Sequence, residues 1–478
     1  MSSGEVWVPR KDQEVALAWL GGREGPCRER AATWLPTGTG KTAIAGQWLA
    51  RGLFDELSMG RVLIVAPPLV VPGWIEQMKR WRHMNPLLAT TSVITNERLD
   101  LTLSAAGRLA FRDKRATKRA LRALPGRVHL CTWHQLPWVE EAYGRNWPYD
   151  VFVLDEATNL RDQESAKTTA ARRAVHKSGV VTHVLELTAT PRANQDEAVR
   201  NQLDLIERGV FGRTLTDFRT DWCVPDQTDR NTGRVFRWKV AAARRPEFEA
   251  ACARLALSLP DALGIEVLEV EQPIVLPDAA RQAHDDMLRN SVWNGIMAGS
   301  AAVRHSKLRQ IASGTVYADD DRQAVVEVHD VKIERLKELV EEVDKPIVLA
   351  YQWRHELARL RAAFGRHLGE IRDEGALDRF KKGRLRILAL HPASAGHGLD
   401  GLQHVTNVLI WSSVPEDREL YDQTNGRLKR GGQDSGTVYV HALVAGGTRE
   451  SEIWREVLPG KARLQDVILR AARKDEAS

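Results

Sequence analysis

The stretch AATWLPTGTGKTAIAGQWLA, residues 31–50, constrains the fold of this chain more than any other. An apolar run enters a glycine turn, and the turn opens directly into an amphipathic helical pattern. In a strand–loop–helix unit of this kind the glycines let backbone N–H groups approach a phosphate. Lys41 then reaches the β and γ phosphates, the Thr42 hydroxyl holds Mg2+, and Thr37, Gly38, Thr39 and Gly40 form the loop. Leu35 stands where the strict pattern has its first glycine.

The residues that follow keep alternating between apolar strands and helical patterns. RVLIVAPPLVVPGW reads as a buried strand ending in a proline-rich loop, and DVFVLDEATNL as a second strand with Asp155 and Glu156 at its C-terminal end. A carboxylate there suits the Mg2+ shell, and its neighbour suits orienting or deprotonating a water. Alone this acidic pair is a weak signal. About 115 residues after a phosphate loop it becomes a strong one. A third strand, HVLELTATP, ends in two hydroxyls, Thr188 and Thr190, suited to linking the site to a neighbouring domain. The alternation argues for a parallel sheet covered by helices.

From about residue 331 the alternation returns without a lysine-bearing loop, as expected of a second α/β lobe that completes a site on the first. The expected domains are 1–205, a helical insertion or linker at 206–330, and 331–478. Ser291–Gln310 reads as helical; its Arg304, His305, Lys307 and Arg309 fit either packing or a grip on DNA. Near the end, YDQTNGRLKRGGQ carries Arg427 and Arg430 in a stretch that reads as too polar for a core.

The net charge is +6, yet eight basic residues and one acidic residue fall between Arg108 and Arg127. Arg108, Arg112, Arg115, Arg119 and Arg122 follow helical spacing and align along one side of a helix. Such a stripe is either a solvated face or a contact to a phosphate backbone. Cys27, Cys131, Cys223 and Cys252 are scattered and read as reduced thiols rather than a zinc site. The start MSSGEVWVPR lacks signal-peptide character, so a cytosolic protein is expected, in a bacterial host if phage-encoded. The 15 tryptophans read chiefly as core anchors.

Taken in order, the motifs resemble those of superfamily 2 helicases, specifically Swi/Snf-type DNA translocases. PTGTGKT resembles motif I, and APPLVVPGWIEQ motif Ia with Trp74. DEAT resembles the DEAH-like motif II, with Thr158 in place of His, and LTATPRAN is similar to the family's LTGTPxxN. ASAGHGLDGLQ resembles motif V with Asp400 in place of Asn, and QTNGRLKRGGQ resembles motif VI with its spacing intact. LRQIASGTVY and HPASAGHGL look most like the compact bacteriophage versions.

The resemblance implies two RecA-like parallel-sheet lobes of the P-loop NTPase class, using ATP and Mg2+. It implies catalytic roles for Lys41, Glu156, Arg427 and Arg430, with the arginines directed at the γ-phosphate. Carried over to nucleotide binding are Gln13, as an adenine-reading glutamine, and Gly398 and Asp400 of motif V; Thr42 and Asp155 take the metal. Nucleic-acid candidates are Pro67, Trp74, Thr132, Tyr351, Gln352 and Ser394, with Arg112, Arg115 and Arg119 extending the footprint. The implied activity is ATP-driven movement along DNA, duplex favoured and read without sequence preference, in phage replication, recombination or remodelling. RNA stays open as a substrate, as do a strand-separating helicase and a DNA clamp with a vestigial ATPase.

Overall fold

Val62–Ala66, Val128–Thr132 and Val151–Asp155 are buried at every position, a pattern that requires a sheet covered on both faces. The computed structural model describes residues 4–21, 27–36, 38–68, 70–95, 108–110, 118, 121–189, 191, 196–228, 233–261, 263–318, 324–395 and 401–460. Two units divide the chain, one formed by Met1–Ala262 with Leu464–Ser478 and the other by Leu263–Arg463.

In the first unit β1 (Arg30–Trp34), β2 (Val62–Ala66), β3 (Thr91–Thr95) and β4 (Arg108–Ala110) are followed by β5 (Val128–Thr132), β6 (Val151–Asp155) and β7 (His183–Thr188). β8 (Cys223–Thr228) and β9 (Val235–Val240) make an antiparallel ribbon, and β10 (Ala256–Ser258) returns to the sheet. The sheet order is β10-β1-β7-β6-β2-β5-β3-β4, parallel throughout. One face packs Trp34, Phe152 and Leu203, and the other packs Trp48, Ile64 and Trp74. Only β7 separates the strand of the phosphate loop from the strand of the acidic pair. The turns after β1, β6 and β7 therefore open on one C-terminal edge, where parallel α/β sheets place their ligands.

The second unit begins with β11 (Glu266–Ile274) and two short hairpins, β12 (Val292–Trp293) with β13 (Ile296–Met297) and β14 (Thr315–Tyr317) with β15 (Val325–Glu327). Its sheet adds β16 (Ile347–Ala350), β17 (Leu368–Glu370), β18 (Ile387–Leu390), β19 (Val408–Trp411) and β20 (Thr437–Ala445). The order is β11-β20-β19-β16-β18-β17, again all parallel. Two RecA-like α/β lobes result. No helix among the described residues is long and apolar enough to cross a membrane.

Three expectations change. Residues 206–330 do not form a separate helical insertion: β10 pairs with β1 of the first unit and β11 with β20 of the second, so the segment is shared between the two. Helical spacing among the arginines does not extend to Arg108, whose backbone pairs in β4 with β3. Arg112, Arg115 and Arg119 lie outside the described residues, and Arg122 donates to the Ala142 carbonyl at 2.7 Å. The basic residues of helix Ala301–Ser313 are internal struts. Lys307 binds the Tyr317 carbonyl, Arg309 binds the Val414 carbonyl at 2.9 Å, and His305 meets Glu416 at 2.9 Å.

A buried ion pair fastens the second sheet. Lys332 donates to Glu450 at 2.7 Å and to the Ser412 carbonyl at 2.8 Å, and Glu450 accepts the Ala445 N–H at 2.9 Å. Burial raises the Glu450 carboxyl above its ordinary range, with Lys332 opposing. Lys332→Met strands that carboxyl and is expected to cost about 3 kcal/mol in denaturant unfolding. A Lys332→Met, Glu450→Leu double variant should recover most of the loss.

Candidate active site

The turn after β1 is shaped by two left-handed glycines, Gly38 (φ 82°) and Gly40 (φ 80°). A Cβ at Gly40 would lie 2.6 Å from the Gln13 amide nitrogen, so the position admits only glycine without movement. Lys41 opens helix α2 (Lys41–Ala50, following α1, Lys11–Trp19), and its ammonium donates to the carbonyls of Leu35 at 2.9 Å and Pro36 at 3.1 Å. The half-buried Thr42 follows. Gln13 on α1 is buried; its Nε2 donates to the Thr39 carbonyl at 2.7 Å and its Oε1 accepts the Arg10 N–H at 2.9 Å. Gln13 thus braces the loop through its backbone.

Asp155 ends β6 with a buried carboxylate. Two indoles hold it. Trp74 on α3 (Val71–Arg80) donates from Nε1 to Oδ2 at 2.7 Å, and Trp133 donates from Nε1 to the Asp155 main-chain carbonyl at 2.8 Å. Burial pushes the Asp155 carboxyl up to about 6 and the neighbouring Glu156 adds to this, while the Trp74 hydrogen bond and Lys41 pull against it. Glu156 adopts a left-handed backbone (φ 58°), which costs a non-glycine residue about 1 kcal/mol. Its Oε1 accepts the hydroxyls of Thr158 at 3.0 Å and Thr188 at 3.2 Å. Two threonines from different turns thereby orient one oxygen of the second carboxylate.

The oxygens of Asp155 and Thr42 are hard donors suited to Mg2+, which is commonly held by few protein groups together with substrate phosphates. Among the described residues no group of three or more His, Cys, Asp or Glu side chains could hold a metal by itself. The glycine turn, its lysine and these oxygens fit a nucleoside triphosphate with Mg2+. A separate cavity of about 430 Å3 lies along α1 and α2, lined by Trp7, Leu17, Trp48 and Arg51 among others; none of the described loop residues lines it.

In the second unit the arginine cluster lies just beyond helix Arg418–Asn425. Contrary to its polar appearance, this stretch is largely buried, and Arg427 is only 6% exposed. Two of its polar side chains bind neighbouring groups: Asn425 accepts the Trp411 indole N–H at 3.0 Å, and the half-buried Gln433 donates to the carbonyls of Thr406 and Leu428. Arg430 is half-buried and donates from Nε to the Gly426 carbonyl at 3.2 Å.

Among the described residues, four of the nucleic-acid candidates are buried. Trp74 is 0% exposed and committed to Asp155. Thr132 is buried, with its N–H on the Gln135 side chain at 2.9 Å, and Pro67 is buried at the start of the turn into α3. Tyr351 is buried and donates its hydroxyl to Glu370 at 2.8 Å. Gln352 is half-buried and accepts from His391 on its carbonyl at 3.0 Å. Ser394 has its backbone in the short helix Pro392–Ala395, while Thr37, Gly398 and Asp400 lie outside the described residues. The roles of Trp133, Thr158 and Thr188 toward the acidic pair were missed, although the hydroxyls of DEAT and LTAT stood in plain view as candidate donors.

Residues 24–243 match the family model of the SNF2-related domain. Protein p41 of Acyrthosiphon pisum secondary endosymbiont phage 1 is 28% identical over 468 residues, covering 93% of this chain and 95% of that protein. The protein CHROMATIN REMODELING 4 of Arabidopsis thaliana is 25% identical over 181 residues, 36% of this chain and 7% of that protein. The SWI2/SNF2 ATPase core of Sulfolobus solfataricus, solved in complex with dsDNA, is 16% identical with a TM-score of 0.41, covering 98% of this chain and 95% of that one.

The raised Asp155 pKa has a consequence for stability. Between the usual carboxylate range near pH 4 and about 6, the unfolded chain releases a proton that the folded chain keeps. Stability falls across that window as pH rises and is flat above it. Asp155→Asn removes this loss and should leave the nucleotide-free protein more stable at pH 7.5, by up to about 3 kcal/mol. Thermal melts of both proteins from pH 4 to 8 check this; the gap should widen up to about pH 6 and then hold.

Proposed function

We propose that this chain, a Swi/Snf-type superfamily 2 protein with an SNF2-related domain at residues 24–243, hydrolyses ATP and couples that reaction to movement along duplex DNA. The observation that carries the hydrolytic part is the meeting of three turns on one sheet edge. They bring the Lys41 loop, the buried Asp155 carboxylate and a Glu156 carboxylate oriented by two hydroxyls. The duplex-DNA part rests on the order of the Swi/Snf-type motifs, and the near full-length likeness to a phage protein supports work on phage DNA.

In this reading backbone N–H groups of residues 38–42 and the Lys41 ammonium bind the phosphates, Lys41 exchanging its two loop carbonyls for phosphate oxygens. Thr42 and Asp155 would hold Mg2+, which when bound would supply charge neutralisation on the phosphates. Glu156 takes the proton of the attacking water. The hydroxyls of Thr158 and Thr188 on Oε1 hold the carboxylate's rotation for that role. Arg427 and Arg430 stabilise charge on the transferring phosphoryl group, and Arg suits this because its planar fork pairs with two oxygens.

ATP turnover measured alone and with single-stranded DNA, duplex DNA or RNA tests the proposal. Duplex DNA should give the strongest stimulation. Glu156→Gln should keep ATP binding and lower turnover about 10²- to 10⁴-fold, and Arg430→Ala should lower it about 10³-fold or more. Turnover by wild type that single strands or RNA stimulate more would overturn the duplex reading. DNA binding with no turnover under any condition would leave a clamp.

A further inference from the structure

We propose that Trp74 is a positioning residue for the Mg2+ carboxylate: its indole N–H holds Oδ2 of Asp155 and so directs Oδ1 to the cation. The inference rests on the reading of Asp155 as the Mg2+ ligand and deepens it.

An indole is a donor only, so Trp74 cannot take the metal itself and cannot accept from any group that would rotate it away. At 0% exposure it does not exchange its partner for solvent. The 2.7 Å distance is that of a charge-assisted hydrogen bond, and burial strengthens it. The main chain of the same residue is held independently by Trp133, from the turn after β5, at 2.8 Å. Asp155 is therefore fixed at its backbone by one indole and at its carboxylate by another. Without the first, the carboxylate keeps its place but loses its preferred rotation. Groups that orient a metal ligand from behind typically change metal affinity 10- to 100-fold when removed.

The bland alternative is that Trp74 only fills the core beside Ile64 and Trp48. Trp147 separates the two, because it is also buried in the first unit, at 3% exposed, and its indole nitrogen has no hydrogen-bond partner among the described residues. Trp147→Phe removes the same atoms without touching a carboxylate.

The experiment measures ADP affinity of the full chain by calorimetry with and without Mg2+, taking the ratio as the Mg2+-dependent gain. Trp74→Phe should reduce that ratio about 10-fold or more, leave Mg2+-free ADP affinity near wild type, and Trp147→Phe should leave both unchanged. If Trp74→Phe does not fold, 3-benzothienylalanine at position 74 keeps the ring shape and replaces the N–H by sulfur, and the same loss is expected. An unchanged ratio in either position-74 variant overturns the proposal, as does an equal loss in Trp147→Phe. Wild type that binds ADP with no Mg2+-dependent gain would instead sink the metal reading of Asp155.

Discussion

A carboxylate buried at the end of β6 is the constraint around which the first lobe is arranged. Taking an ionisable group out of water is costly unless donors replace the lost hydration. Its two neighbours in the sheet, β2 and β7, and the next strand beyond β2, β5, each lead to a donor. β2 leads into α3 and Trp74, β5 leads to Trp133, and the end of β7 supplies Thr188 to the adjacent Glu156. The parallel order makes this possible, because three strands that are distant in sequence deliver their C-terminal turns to one edge. Burial still leaves Asp155 with a raised pKa, a cost that metal binding would offset.

The second lobe repeats the architecture and uses its edge differently. Where β16, β19 and β20 end, the polar residues bind one another. Tyr351 donates to Glu370, Ser412 donates from its hydroxyl to Glu356 at 2.5 Å, and Lys332 joins the Ser412 carbonyl to Glu450. A polar residue at a strand end is thus no guide to ligand contact; its partners must be known. The same holds for helix Ala301–Ser313, where Lys307 and Arg309 bind carbonyls, His305 meets Glu416 and Arg304 donates to the Ser291 hydroxyl.

Tryptophan shows how far residue type alone can mislead or inform. Abundant indoles suggested core anchors, and Trp34, Trp74, Trp133 and Trp411 are indeed fully buried. Trp74 was also expected at the nucleic-acid surface because of its place after the APPLVVPGW strand. Its ring belongs to the core and its nitrogen to Asp155, and both follow from the amphipathic spacing of α3, which turns Val71, Trp74, Ile75 and Met78 inward together.

The sequence by itself determined the alternation of strands and helices, the two parallel lobes, the glycine turn before Lys41 and the acidic pair at a strand end. These are local signals, set by period, by glycine's freedom at positive φ and by continuous apolar runs. Only the tertiary structure decided which donors meet which carboxylates, that residues 206–330 are divided between the two units, and that Arg427 is buried. Those outcomes depend on strand order and on side chains 14 to 118 positions apart in sequence meeting, as Trp411 meets Asn425, Trp74 meets Asp155 and Lys332 meets Glu450. No local pattern encodes such meetings, because the energy that selects them is the shared desolvation of groups that the chain brings together only once it has folded.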